Sequence, residues 1–154
     1  VISFRPAESR DMPFVMSSWL KSFKTSNAAG LLPFNLYYDA YRLAIQQLLD
    51  RGSVVYVAYV PGEDEAKSDI YGWACVERGF DKPLVHYVYV KQPYRRLGVA
   101  KALLRAAGVH VSQPFFYTYR TPIVAELLRG RRQAVWMPVL ARSRKAEADE
   151  SEAG

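Results

Sequence analysis

Residues 84–108 read LVHYVYVKQPYRRLGVAKALLRAAG, and the hydrophobic pattern changes character halfway along them. Leu84 to Lys91 is a valine- and tyrosine-rich run suited to a buried strand. A short basic turn follows with Arg95, Arg96 and Gly98, then an Ala/Leu-rich helix whose stop is Gly108. Strand, turn and helix in this order gather the unpaired N–H groups of the turn and of the first helical turn in one place. With the helix dipole and two arginines they form an anion site suited to a pyrophosphate. Gly98 has no Cβ to hold a bulky anion away, and Ala100 keeps the next approach nearly as open.

Upstream, Ile2–Pro6 alternates as a first strand, and Ser9 or Asp11 is an N-cap for a helix from about Asp11 to Phe23. Ser26 to Pro33 is a loop. A broad apolar stripe including Leu36, Ala40, Ala44, Ile45 and Leu48 predicts a second helix from Asn35 to Arg51, stopped by Gly52. Ser53–Val60 and Ile70–Arg78 are β-branched runs on either side of the acidic loop Glu63–Asp69. With Leu84–Lys91 they form an antiparallel meander, since neither connection carries a helical pattern. Downstream come a strand around Phe115–Tyr119, a short helix from Pro122 to Leu128 ended by Gly130, and a last strand within Gln133–Leu140. Pro138 predicts an edge position or a bulge for that strand.

The chain has 154 residues, half of them apolar, which suits the core of one domain. The expected division is a single domain over 1–140 and a charged tail over 141–154, with no internal repeat. No run approaches the ~20 apolar residues of a membrane span, and the N-terminus lacks a signal-peptide layout, so no membrane association is expected and the expected location is cytoplasmic. One cysteine, Cys75, allows no internal disulfide, and with only His86 and His110 beside it no metal site is expected. The net charge of +6 raises nucleic acid as a partner. That reading is the weaker one, because the positives occur as scattered pairs and triples rather than along one face. Metal-hydrolase and nucleotide-kinase motifs are absent.

The run Arg95-Arg96-Leu97-Gly98-Val99-Ala100, behind its valine-rich strand, resembles the R/Q-x-x-G-x-G/A signature of the GNAT superfamily of N-acetyltransferases. The resemblance extends more weakly over about the first 130 residues. SSWLKSF together with LVHYVYVK also resembles acetyltransferase-like proteins of bacteriophages. The family resemblance implies an α/β (α+β) fold with a mixed, mostly antiparallel central sheet of about six strands and helices on both faces. It implies acetyl-CoA as the acyl donor, an amine acceptor, small or protein-borne, and direct attack in a ternary complex. It assigns Val88, Tyr89 and Val90 to the pantetheine arm, and the turn from Arg95 and Arg96 through Leu97, Gly98, Val99, Ala100 and Lys101 to the pyrophosphate. The family usually ends in a two-stranded hairpin, whereas one convincing strand is visible here. An acceptor pocket completed by a second copy, in a homodimer, would fit that departure.

For proton work His86 stands out: strand alternation puts it on the side of Val88 and Val90, and an imidazole near its ordinary pKa accepts a proton at neutral pH. It also falls where the resemblance places a strand histidine acting as base in the arylalkylamine branch. Glu77, next to Arg78, is the rival base. Relatives place an acid tyrosine in the helix after the fifth strand, and this chain has none there. Tyr117 and Tyr119 are the nearest substitutes for protonating the leaving thiolate. A CoA-binding regulatory module without efficient turnover remains the alternative to an enzyme. Trp19, Tyr37, Tyr38 and Tyr41 are candidate walls for the acceptor.

Overall fold

The computed structural model describes residues 1–26, 34–62, 69–95, 97–129 and 133–141, with the backbone alone at 23–26 and 34–37. Strand β1 (Ser3–Pro6) leads through a 3-10 turn (Ser9–Asp11) into helices α1 (Met12–Ser26) and α2 (Phe34–Asp50). Strands β2 (Val54–Val60), β3 (Asp69–Glu77) and β4 (Leu84–Val90) follow, then α3 (Val99–Ala106), β5 (Phe115–Tyr117), α4 (Pro122–Leu127) and β6 (Ala134–Trp136). The loop at 27–33, most of the acidic loop (63–68), Arg96, the stop at Gly130 and the tail from 142 onward lie outside the described residues.

The six strands form one sheet in sequence order. β1 to β4 pair antiparallel, while β4–β5 and β5–β6 pair parallel. The change of direction has a local cause: helix-free connections join β2 to β3 and β3 to β4, and the α1–α2 pair returns the chain antiparallel between β1 and β2, whereas single helices, α3 and α4, carry it back across the sheet before β5 and β6. The expected mixed, mostly antiparallel sheet of about six strands is the observed one. The last strand is shorter than the sequence suggests, because Pro138 lacks an N–H and opens a 3-10 turn (Pro138–Ala141).

Both faces of the sheet are covered. Under α3 and α4 lie Val76, Val85, Val88 and Val90, packed on Leu103, Leu104 and Val124. Under α1 and α2 lie Val57, Trp73 and Tyr87, packed on Val15, Trp19, Ile45 and Leu48. Trp19 is fully buried and packs at a tilt on Trp73, 4.8 Å between centroids, and on Tyr87, 5.4 Å, so it belongs to the core rather than to a pocket wall. Asp11 does not cap α1; its carboxylate turns back to accept the Glu8 N–H at 2.7 Å and Arg5 at 2.6 Å.

One irregularity shapes everything that follows. Cys75 faces Tyr87 and Val76 faces Val85, so His86 is an extra residue on β4 with no partner on β3. A bulge of this kind bends its strand, adds twist and re-aims a side chain. The simple alternation that would set His86 beside Val88 and Val90 therefore fails. Val85 and Val88 share the α3/α4 face, and His86 turns to the Glu77 side of the sheet.

Candidate active site

The ladder between β4 and β5 is brief. It holds Leu84↔Phe116 and Val85↔Tyr117, and ends with the Thr118 N–H donating to the Val85 carbonyl at 3.1 Å. β4 runs on to Val90. At its end the Lys91 N–H donates back toward β3, to Tyr71 O at 2.8 Å. Since main-chain groups alternate along a strand, Val88 and Val90 present theirs to the side β5 has left, while Tyr89 presents its own to β3. The Val90 carbonyl on that open side accepts Arg95 Nε at 2.9 Å.

The open edge leads into the basic turn. Gly98 sits at φ 77°, ψ 9°, in the left-handed region that disfavours any side chain, and caps α3. A Cβ there would meet nothing within 4 Å, so the space above it is clear. The first helical bond runs from Ala102 N–H to Gly98 O at 3.0 Å, leaving the N–H groups of Val99, Ala100 and Lys101 without a helical acceptor. A cavity of about 360 Å³ joins these parts, reaching from Val90 and Arg95 past Gly98 and Ala100 to Ile123 and Leu127 of α4. A second cavity of about 680 Å³ lies along α3 beyond it, at Lys101, Arg105, His110, Ser112 and Gln133. Leu97 is exposed beside the turn.

Where β4 and β5 part, a buried polar chain runs through the sheet. His86 has no exposed surface and Glu77 almost none. Glu77 Oε1 accepts from His86 Nε2 at 2.8 Å, Arg51 Nε at 2.8 Å and Ser53 Oγ at 3.0 Å. Burial alone would raise the Glu77 carboxyl, but the bonds from His86, Arg51 and Ser53 and the Arg51 charge outweigh it and hold it down at about 2. An ionised carboxylate only accepts, so Nε2 of His86 carries the hydrogen. Nδ1 is then the acceptor for the Thr118 hydroxyl, 3.1 Å away. Burial pushes the His86 pKa below its ordinary value, and the Glu77 contact only partly opposes this. The imidazole is neutral at pH 7, with its lone pair toward Thr118. Arg51 also donates to the Leu140 carbonyl, tying the C-terminal turn to the cluster.

The candidates from sequence are thus partly reunited. His86 and Glu77, weighed as rivals, are bonded partners. Glu77 does not pair with Arg78, which reaches across to Ala107 O at 2.7 Å. Tyr117 is buried in the α3/α4 core. Tyr119 packs edge-on against Tyr87 on the other face, 6.2 Å between centroids, and burial raises its pKa, so it holds its proton. Cys75 is buried with its thiol pushed up to about 12, which leaves it unreactive. Tyr38 and Tyr41 are half-buried beside the α1/α2 core, and the Tyr37 side chain lies outside the described residues. Arg51, Ser53 and Thr118 escaped sequence reading. Arg51-Gly52-Ser53 looks like an ordinary helix stop, and nothing local shows that β3 passes beneath it. Among the described residues no group of three or more His, Cys, Asp and Glu could hold a metal, and no helix is long and apolar enough to cross a membrane.

Residues 16–110 match the family described as acetyltransferase (GNAT). Among solved structures, a ribosomal-protein-alanine N-acetyltransferase from Brucella melitensis is similar at 19% identity, with 88% of this chain and 92% of that one covered and a TM-score of 0.54. A protein of Pyrococcus furiosus assigned as an acetyl transferase is similar at 16% identity, with 89% and 82% covered and a TM-score of 0.56. At these identities the likeness carries the fold. No curated protein matches the chain.

Proposed function

The chain belongs to the acetyltransferase (GNAT) family, and on that premise we propose that acetyl-CoA lies along the free edge of β4 and that its acetyl group passes to a primary amine bound on the α1/α2 side. The observation that carries this reading is the continuity of the open Val88–Val90 edge with the left-handed turn at Gly98. The fit can be tested on the residues present. A pantetheine arm carries amide groups that need main-chain partners, and Val88 and Val90 offer them. A pyrophosphate needs converging donors and room, which Val99, Ala100 and Lys101 N–H and the clear space over Gly98 provide. The side chains of Arg95 and Lys101 line the same cavity and add positive charge.

Acetyl-CoA supplies an activated acyl group whose C–S bond breaks as the C–N bond forms. The chain's own task is to hold the partners in line and to move a proton. The Val88 N–H, on the open edge, is the donor for the carbonyl oxygen as negative charge grows on it. The amine arrives as an ammonium and must lose a proton. The Thr118 hydroxyl stands at the point where the strands part; it takes that proton while passing its own to Nδ1 of His86, and Glu77 steadies the imidazolium through Nε2. On this reading Tyr119, which holds its proton, is the group that returns one to the departing thiolate.

The test is calorimetric titration with acetyl-CoA and CoA, then release of free thiol over a panel of amines. Micromolar acetyl-CoA binding with amine-dependent thiol release is expected. Absence of binding at millimolar acetyl-CoA overturns the cofactor assignment, and binding without thiol release over the panel overturns the catalytic one.

A further inference from the structure

We infer that the amine acceptor carries an anionic group, a carboxylate or a phosphate, and that a pocket on the α1 face of β4 recognises it. The inference rests on the acetyl-transfer reading above and names the substrate class that reading leaves open. A cavity of about 380 Å³ lies between α1 and β4, lined by Phe14, Ser17, Lys21 and Ser22 from the helix, Tyr89 from the strand, and Arg95 from the turn. Its volume falls in the range of small-molecule sites, roughly 300–1,000 Å³. Arg95 also lines the cavity assigned to acetyl-CoA, so the two spaces adjoin at that side chain.

The charge around this pocket has one sign. Lys21 and Arg95 line it, and Lys91 Nζ lies 5.0 Å from the ring centroid of Phe14, which forms its wall. Among the described residues, no carboxylate lines it, and none of these three cations takes part in an ion pair. Two of the acidic groups elsewhere in the chain are already matched: Asp11 with Arg5 and Glu77 with Arg51. Two cations lining a concave site, with a third beside its Phe14 wall, repel one another and attract an anion, and low-dielectric walls strengthen the attraction. A polyamine or another polycation would add to the repulsion.

Position narrows the class further. Tyr89 lines the pocket, and Val88, its neighbour on β4, is the donor proposed for the acetyl oxygen, so the anion site adjoins the proposed transfer point. Short amino acids and amino-alkyl phosphates are the compact acceptors that two adjoining sites would take.

Matched pairs that differ only in charge provide the test: β-alanine against β-alaninamide, and phosphoethanolamine against ethanolamine, with spermidine as the polycation. With saturating acetyl-CoA, kcat/KM is expected to be at least about tenfold higher for the anionic member, the size of one charge-assisted contact. The advantage should shrink as salt rises past the ~0.1 M at which the screening length is about 10 Å. The two pairs separate a carboxylate from a phosphate preference. Lys21→Glu, an exposed substitution, is expected to reduce or reverse the preference while calorimetry finds the acetyl-CoA affinity unchanged. Equal rates within each pair, or a preference for spermidine, with acetyl-CoA binding intact, overturn this inference alone. Loss of the preference together with acetyl-CoA affinity in Lys21→Glu would assign the pocket to the cofactor and also overturn it. Failure of the native protein to bind acetyl-CoA overturns both readings.

Discussion

Replacing Glu77 by glutamine keeps the side chain's shape and removes the charge on which the buried cluster depends. Oε1 accepts from Arg51, His86 and Ser53, and the substitution leaves the Arg51 guanidinium, with only 10% of its side chain exposed, without its counter-charge. Breaking a buried pair by removing one partner costs about 3–5 kcal/mol, and the remaining bond from Arg51 to Leu140 O argues for the lower end. Titration gives a second route to the same figure. The carboxyl lies at about 2 in the folded protein against 4.5 as a free side chain, a difference worth about 3 kcal/mol. Because the folded value is depressed, this stability is fully present above pH 4.5 and is lost as pH falls toward 2. His86 acts in the same direction: its folded pKa is lowered, so the unfolded chain binds its proton first and stability falls as pH drops below about 6.5. Glu77→Gln should therefore lower Tm at pH 7 by about 6–12 °C and flatten the decline between pH 4.5 and 2, both read by thermal melts across a pH series. A variant melting within 2 °C of the parent, on the ~2–4 °C per kcal/mol expected at this chain length, would refute the reasoning.

Three further substitutions probe other parts of the structure. Gly98→Val should weaken acetyl-CoA binding beyond calorimetric detection while circular dichroism stays native, since the fold bears only the left-handed strain of about 1–2 kcal/mol and no internal clash; unchanged affinity would remove the turn from the cofactor site. His86→Gln should lower kcat by about 10²–10⁴ with little change in acetyl-CoA affinity. A fall in kcat is expected on the acid side, as the imidazole protonates below the ordinary range because burial lowers its pKa; it should vanish in that variant, and a profile of unchanged shape takes His86 out of the mechanism. Gly72→Ala would set a Cβ 2.6 Å from the main-chain oxygen of Tyr89. It should cost about 1–3 kcal/mol in denaturant unfolding, because two paired strands must move apart to admit it; a neutral result would show that β3 and β4 yield freely there.

Local order in the chain foretold much of this molecule. The period-two run before Gly98, the small-residue helix after it and the apolar stripe of α2 each depend on neighbours within a few residues, and each formed where those neighbours predict. The meander of β2, β3 and β4 was equally legible, since short helix-free connections leave antiparallel pairing as the simple solution. Even the glycine at the turn before α3 announces itself, because the backbone angle it adopts and the room it leaves are properties of one residue type.

The buried polar cluster was of another kind. Arg51 and Ser53, Glu77, His86 and Thr118 come from four separate places in the chain, and each reads locally as something ordinary: a helix end and strand start, a surface acid, a core histidine, a strand end. Their union depends on the strand register, and a single extra residue at His86 turns its ring away from Val88 toward Glu77. A slip of one residue reverses which face a side chain meets, and no periodicity in the sequence records it. Burial then does what composition cannot: it removes solvent from a carboxylate, an imidazole and a guanidinium together, so that their charges set one another's protonation. Short-range pattern was enough for the elements and the glycine turn, whereas the buried polar groups acquired their partners, tautomers and pKa values only when distant strands closed over them.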